Sequence, residues 1–364
     1  MPIDFDQNRW KKIKYDAQKW WAGKLGRPLI QVRLKGKDPQ REAPDAPYFE
    51  FTSFYDQSIP AEKIVARWDY EFCCTKFLGD GFPHVWPNFG PGVIAAFLGA
   101  RLENGEDTAW FIPLNVIEIS RLNFNFIEQN IWFNRLRNII KSCHERWNGL
   151  VQIGMTDLGG NLDILSTFRP SENLLFDLCD HPEQVKRLTW DAHQTWWAYF
   201  EKLNALYQPL NPGYTCWTPI FSEAPYYMLQ CDFSYMIGPK MFAEFVLPEL
   251  AASADRLGNA FYHLDGPGEL PHLDLLLEVD SIKGVQWVPG SGAPDVSHWQ
   301  EVYRKIFQAG KLTQIFHGQY QGGFDLLDIL MDQVGSVENV CYIIDGDISQ
   351  EKEIMAILQK YGVQ

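Results

Sequence analysis

The sequence predicts an α/β protein, a (β/α)8 TIM barrel preceded by an N-terminal helical/strand extension. From residue 239 onward, helical patterns alternate with short apolar strands at the spacing of βα repeats. Strands expected near residues 151 and 213 extend this series, and polar residues follow strand after strand, as at the carboxyl rim of a barrel. We therefore expect a single barrel domain over residues 1–364, with the extension over 1–80 and the barrel over about 81–364.

The predicted elements before residue 150 are mostly helical. Apolar residues at Trp10, Ile13, Ala17 and Trp20 or Trp21 predict an amphipathic helix over 8–24. A strand over 28–34 and a second helix over 61–78 follow. A strand beginning at Phe82 breaks at a Gly/Pro turn, where His84 and Asn88 could face a pocket or lie in a surface loop. A long helix is expected over 126–147.

The rest of the chain carries the regular alternation. A strand is expected over 151–155, then a glycine-containing turn after Asp157 and two helices, over 171–180 and 182–207. Residues 216–219 are interpreted as another strand end. Beyond them the predicted strands are 260–263, 284–288, 312–316 and 340–344, and the predicted helices are 239–257, 270–278, 298–309, 324–333 and 349–360.

Composition excludes several classes of function. The chain has 364 residues, a formal net charge of −14 and a pI near 5.0, without a cluster of Lys and Arg. Nucleic acid and anionic membrane surfaces are therefore poor partners. Neither a signal-peptide pattern nor a membrane-spanning apolar run is visible, so we expect a cytoplasmic protein. The seven Cys are scattered, which argues against a disulfide framework. Neither GxGxxG nor GxxxxGK[ST] occurs where a nucleotide fold requires it.

The stretch from Asn259 to Glu269 is the strongest candidate for chemistry. A short apolar strand ends at His263-Leu-Asp265-Gly266, and a Gly-Pro-Gly turn and a helix follow. Residues i and i+2 of a strand point the same way, so His263 and Asp265 share one face. Both side chains can bind metal or move protons. We therefore predict that His263 and Asp265 form a catalytic pair.

Other polar and aromatic residues follow the remaining predicted strands and would converge on the same mouth. The residues predicted to line a substrate pocket there are Asn161, Trp217, Glu223, Tyr262, Trp287 and His317. Two mechanisms fit such a rim. A divalent metal on His263, Asp265 and a third ligand could activate a thiol, water or carbonyl. Alternatively, the histidine and the carboxylate could act as general acid and base without metal.

Three segments together resemble the uroporphyrinogen decarboxylase-like superfamily. They are Glu183-Gln-Val after His181-Pro182, the run from Asp232 through Met236-Ile237-Gly-Pro239 and Phe242-Ala-Glu-Phe245 to Pro248, and Tyr262-His263-Leu-Asp265-Gly266. The similarity covers roughly residues 150–364 well and the first 150 weakly. It implies a (β/α)8 barrel with a deep cleft at its carboxyl rim.

The resemblance implies two enzymatic functions, and we favour methyl transfer. The corrinoid-linked methyltransferases hold zinc with a His-x-Cys pattern and a later Cys; here Asp265 replaces the first Cys, and the late ligand falls near Asp347. This implies a metal site of His263, Asp265 and Asp347, and a corrinoid carried by a partner protein. The alternative reaction is decarboxylation of a porphyrinogen-like or smaller carboxylic acid, although the decarboxylases use an N-terminal arginine motif that we do not find. A barrel that binds a small molecule or a corrinoid protein without catalysis is the third alternative.

Overall fold

The computed structural model describes residues 2–106 and 108–363, and it has a mixed α/β fold with a parallel sheet and surrounding helices. Most helices are short and amphipathic, and α7 is the longest described. The helices are α1 Gln7–Trp21, α2 Ala61–Cys73, α3 Ile94–Phe97, α4 Ile131–Trp147, α5 Asn161–Phe168, α6 Ser171–Asp180, α7 Pro182–Tyr207, α8 Pro239–Met241, α9 Leu247–Arg256, α10 Leu273–Leu277, α11 Gln300–Gln308, α12 Leu326–Val334 and α13 Glu351–Lys360. A π-helical turn, Phe242–Val246, joins α8 to α9.

The strands form one large sheet and two small ones. They are β1 Leu29–Lys35, β2 Thr75–Gly79, β3 His84–Val85, β4 Arg101–Asn104, β5 Ala109–Ile112, β6 Gln152–Ile153, β7 Tyr226–Leu229, β8 Asn259–Asp265, β9 Ile282–Val288, β10 Leu312–Phe316 and β11 Val340–Asp347. The seven-stranded sheet has the order β2-β1-β11-β10-β9-β8-β7, β3 pairs with β6, and β4 pairs with β5. In the large sheet all neighbours run parallel except β2, which is antiparallel to β1.

Parallel pairing brings the carboxyl ends of many strands to one side of the molecule. The register places Arg33 beside Asp345 and His263 beside Gln286. Because the β3–β6 pair forms its own sheet, the hydrogen-bonded ladder of the described residues does not close into a ring. Single backbone hydrogen bonds, such as Asp80 N to Ile30 O at 2.8 Å, connect the pair's flanking segments to the large sheet.

The predicted alternation after residue 239 is confirmed, but the prediction was wrong at three places. Helix 61–78 ends at Cys73, and the following segment forms the antiparallel edge strand β2. Residues 216–219 form no strand, and the next strand along the chain after β6 is β7 at 226–229. The boundary near residue 80 does not separate an extension from the sheet, because β1 at 29–35 lies between β2 and β11.

Helix α1 follows its predicted amphipathic pattern and is fastened to the sheet by a buried ion cluster. The carboxylate of Asp6 caps the helix by accepting from the backbone N–H groups of residues 8 and 9. Arg27 donates to both oxygens of the buried Asp80 at 2.7 and 2.9 Å and reaches Asp16 at 3.0 Å. Asp80 also accepts from the backbone N–H of Ile30 at 2.9 Å. This network joins α1, β1 and the turn after β2.

The core is continuous and rich in aromatic residues, including fully buried Trp10, Trp20 and Trp287. Such large rings supply much of the buried apolar area, which is the main favourable term in folding. Among the described helices, none combines the length and the apolar character needed to cross a bilayer.

Candidate active site

A cavity of about 470 Å³ opens at the carboxyl ends of β1, β3, β10 and β11. Its walls are mostly aromatic and include Trp68, Trp86, Trp217 and Phe316. Such a volume and lining are typical of a small-molecule pocket. The cavity therefore lies at the carboxyl ends of the strands, the side of the sheet where the sequence predicts the site.

The charged residues that line the cavity lie on β1, on β11, on helix α2 and in the segment between β1 and α2. Arg33 binds Asp345 through two hydrogen bonds, Nε to Oδ1 at 2.6 Å and Nη2 to Oδ2 at 2.7 Å. Lys35 lies over the ring of Tyr48, with Nζ 5.8 Å from the ring centroid. Glu50 and Glu71 also line the cavity. Two cationic residues face three carboxylates, so the lining does not suit a substrate with several carboxylates.

His263 lies near the end of β8, and its ring is held by a chain of two glutamines. Its Nδ1 donates to Oε1 of Gln286, whose Nε2 donates to Oε1 of Gln314. Because Nδ1 carries the proton in this arrangement, Nε2 presents a free lone pair. That nitrogen lies 3.8 Å from Oδ2 of Asp265, and the Trp217 ring packs edge-on against the imidazole at 5.1 Å.

Trp217 belongs to both features, since it lines the cavity and contacts His263. The His263–Asp265 pair itself does not line the cavity. The two therefore form adjoining parts of one region, separated by an indole ring.

Buried carboxyl groups lie near the His263–Asp265 pair. Glu269 is 1% exposed, and its Oε2 accepts from the backbone N–H of Asp265 at 3.0 Å. Burial raises the pKa of Glu269 to about 9, and the negative charges of Asp232, Asp163 and Asp265 act in the same direction. Glu269 is therefore a carboxylic acid, not a carboxylate, at neutral pH.

Asp157 lies at the end of the β6 segment and also resists ionisation. Burial raises its pKa to about 6, while N–H donors from Gly159 and Gly92 and the nearby His263 oppose that change. The hydrogen bonds measure 2.9 Å from Gly159 N and 3.3 Å from Gly92 N. Gly159 has φ near +77°, and a Cβ there would lie 2.6 Å from the Cα of Gly92, so glycine is required for this close approach.

Two predicted pocket residues on the strands face away from His263. Tyr262 precedes His263 and therefore points to the opposite side of β8, where it is fully buried. Trp287 follows Gln286 in the same way and packs against Trp299 at 5.0 Å between ring centroids. The prediction that Tyr262 and Trp287 line the pocket was wrong.

Three further predicted pocket residues also lie elsewhere. Asn161 begins helix α5 and donates to the buried Glu249 at 2.6 Å. Glu223 is exposed before β7 begins, at the amino-terminal side of the sheet. His317 hydrogen-bonds the hydroxyl of Tyr342, which lies on the helix-facing side of β11. These predictions were wrong, whereas Trp217 does line the cavity.

The predicted metal ligands do not assemble. Asp347 caps a helical turn by accepting from the N–H and the hydroxyl of Ser349, at 2.9 and 2.6 Å, and β9 and β10 separate its strand from β8. Across residues 2–106 and 108–363, no three His, Cys, Asp or Glu side chains group closely enough to hold an ion. The pair His263 and Asp265 remains without a third donor.

Gln286 and Asp345 are among the polar residues that the sequence places at strand ends, but sequence reasoning missed the pairing of Arg33 with Asp345 and the relay from Gln286 to Gln314. Arg33 was placed in an extension, although the alternation of Leu29, Gln31 and Arg33 already put it on one face of a strand. The relay could not be found in one sequence, because it depends on the register between three strands.

Comparison with solved structures supports the fold. A methyltransferase from Methanosarcina mazei superposes with a TM-score of 0.60 and 12% sequence identity, over 92% of this chain and 92% of that chain. At this identity the likeness concerns architecture alone. No family model matches the sequence, and no curated protein matches it significantly.

Proposed function

We propose that the chain is a methyltransferase of the uroporphyrinogen decarboxylase-like superfamily, exchanging a methyl group between a corrinoid carried by a partner protein and a small molecule. The observation that carries the proposal is His263, held at the carboxyl end of β8 with its Nε2 lone pair free. The shared architecture with a methyltransferase over nearly the whole chain supports the same reaction class.

The proposal includes a distorted (β/α)8 barrel. The strands β1, β3, β6 and β7 to β11 would form its wall, with the β3–β6 pair filling the gap between β1 and β7. The hydrogen bond from Asp80 N to Ile30 O joins the segment before β3 to β1. The one from Met155 N to Thr215 O, at 2.9 Å, joins the segment after β6 to the segment that precedes β7, and both support this closure. Such a barrel would bring the ends of all eight strands to one mouth.

In this proposal His263 acts as the general base for the methyl acceptor. Its Nε2 takes the proton from a thiol, the resulting thiolate attacks the methyl carbon, and the bonding electrons of the methyl group stay with its donor. Asp265 stabilises the imidazolium that forms, since its Oδ2 lies 3.8 Å from Nε2. The Gln286–Gln314 relay keeps the ring in the tautomer that this step needs.

The residues do not fit the three-ligand metal site expected from the sequence. Tetrahedral zinc with bonds of about 2 Å would hold two donors roughly 3.3 Å apart, which His263 and Asp265 could approach. Asp347, however, is engaged as a cap, and the described residues supply no replacement. The acid–base alternative is therefore the one the side chains support.

The test is methyl transfer from methylcobalamin to a small thiol, followed by corrinoid absorbance and by mass spectrometry of the methylated product. We expect wild type to transfer, and His263→Ala to lose about 100-fold or more in rate, as loss of a general base does. Tyr262→Phe is the matched control, because the Tyr262 side chain is fully buried on the face of β8 opposite His263.

Two results would overturn the proposal. One is a wild-type protein that transfers no methyl group from methylcobalamin, free or bound to a corrinoid protein. The other is a His263→Ala variant as fast as Tyr262→Phe. Stoichiometric zinc in the wild-type protein, lost in His263→Ala, would restore the metal mechanism instead.

A further inference from the structure

The wall of the cavity contains three tryptophans. Trp68 is buried, and the indoles of Trp86 and Trp217 form further parts of the wall. Aromatic walls contact planar ligands over a large area at little cost in conformational freedom. At about 470 Å³ the cavity is large enough for a substituted ring.

His84, a buried residue of the cavity wall, offers this cavity a hydrogen-bond acceptor. The residue is 6% exposed, and its Nε2–H donates to the carbonyl oxygen of Cys216 at 3.0 Å. Its Nδ1 therefore carries a lone pair, and no described residue donates to it. Burial lowers the pKa of His84 to about 3, and the nearby Arg33 adds to this effect. The ring is thus neutral at ordinary pH, and its Nδ1 can accept a hydrogen bond from a ligand.

Two unpartnered donors accompany that acceptor. Asn88 is 7% exposed and uses its Oδ1 to accept from Gly90 N at 3.0 Å, which leaves its Nδ2 without a described partner. The Nε1 of Trp217 is buried and also lacks a partner among the described residues. A ligand that supplies both a donor and an acceptor can pair with these atoms, whereas a purely apolar ligand would cover them and leave them without a partner, which is costly.

The charges of the lining favour a neutral ligand. Arg33 is already neutralised by its bidentate pair with Asp345. The remaining charged side chains are Lys35, Glu50 and Glu71. Lys35 and Glu50 belong to exposed residues and oppose each other in sign, and Glu71 is paired with Arg67 at 2.5 Å. The inner wall therefore has no uncompensated charge to bind an ion.

We propose that this cavity binds a neutral hydroxylated aromatic ring, of the phenol class. The ligand hydroxyl donates to Nδ1 of His84, an ether or second hydroxyl oxygen accepts from Nδ2 of Asn88, and the ring lies among the three tryptophans. The evidence for this ligand is the cavity lining alone, so the proposal stands whether or not methyl transfer occurs at the adjoining His263.

The experiment compares three ligands of matched shape on the wild-type protein, by calorimetric titration. The probe is 3-methoxyphenol; 1,3-dimethoxybenzene keeps the ring but loses the donor, and 3-methoxybenzoate carries a charge. We expect 3-methoxyphenol to bind about 10-fold or more tightly than either comparator, since an unmet buried hydrogen bond costs roughly that factor. Because the comparison uses wild type, it does not depend on a variant folding.

Variants then assign the contact. His84→Phe should remove the preference for the phenol over its dimethyl ether, and Asn88→Ala should weaken 3-methoxyphenol binding, while Tyr262→Phe should leave both affinities unchanged. A circular-dichroism melt checks that each variant is folded, because His84 also holds Cys216. Three results would overturn the proposal, whatever the outcome of the methyl-transfer assay. They are equal affinity for 3-methoxyphenol and 1,3-dimethoxybenzene, tighter binding of 3-methoxybenzoate, and no binding of 3-methoxyphenol.

Discussion

Replacing Glu269 by Gln should stabilise the protein, and the gain should grow as the pH rises. Glu269 is 1% exposed and has a pKa raised to about 9 by burial, whereas the unfolded chain ionises near 4.5. Between these values the unfolded state releases a proton that the folded state keeps. Stability is therefore lost as the pH rises from 4.5 toward 9, and is fully retained only below about 4.5.

The size of the effect follows from the width of that window. Each pH unit inside it costs about 1.4 kcal/mol, so at pH 7.5 the ionisable side chain costs up to about 4 kcal/mol relative to a neutral one. Gln has the same shape and can still accept from Asp265 N through its carbonyl oxygen. Its amide nitrogen needs a new partner, which reduces the expected gain to about 2–3 kcal/mol.

The assay is urea unfolding of wild type and Glu269→Gln at pH 5, 7 and 8.5. The difference in unfolding free energy between the two proteins should increase steadily across the series. Glu278→Gln serves as a matched control on a less buried carboxylate nearby. A variant that is less stable than wild type at pH 8.5, or a difference that does not change with pH, would refute the reasoning about Glu269.

Three further predictions concern other parts of the structure. Gln286→Leu should lower kcat for methyl transfer by about 10- to 100-fold, because His263 loses the hydrogen bond that fixes its tautomer. The free energy of unfolding should change by less than about 1 kcal/mol, and an unchanged kcat would contradict the relay. Arg33→Met should cost less than about 1 kcal/mol in urea unfolding, because the Asp345 side chain is 54% exposed and its ion pair is solvated; a loss above 2 kcal/mol would contradict this. Asp80→Ala should cost about 3–5 kcal/mol, because the largely buried Arg27 loses both hydrogen bonds to Asp80 and keeps only Asp16, and the Ile30 N–H loses its acceptor. A melting temperature equal to wild type would contradict this.

The parallel α/β architecture could be read from the sequence because the signal is local and repeated. Strand β8 is an apolar run bounded by a glycine turn, and β9 to β11 repeat that pattern between amphipathic helices. Edge strand β2 was missed because Thr75–Gly79 continues the apolar spacing of α2. Only its pairing with β1, a tertiary contact, makes it a strand.

The candidate site was predicted less well, for reasons that differ between residues. The errors at Tyr262 and Trp287 came from neglecting strand alternation, which reverses the direction of neighbouring side chains. Glu223 was misplaced because β7 begins after Pro225, not before it. Asp347 could not be judged from the sequence, since its hydrogen bonds to Ser349 remove it from any ligand set.

The position of Trp217 has a consequence for how the region behaves as a whole. One indole packs edge-on against the imidazole of His263 and also forms part of the neighbouring cavity wall. A molecule that turns this ring on entering the cavity must also change the packing of His263, and thermodynamic linkage makes the effect equal in both directions. The emission of this indole would then report on both compartments at once.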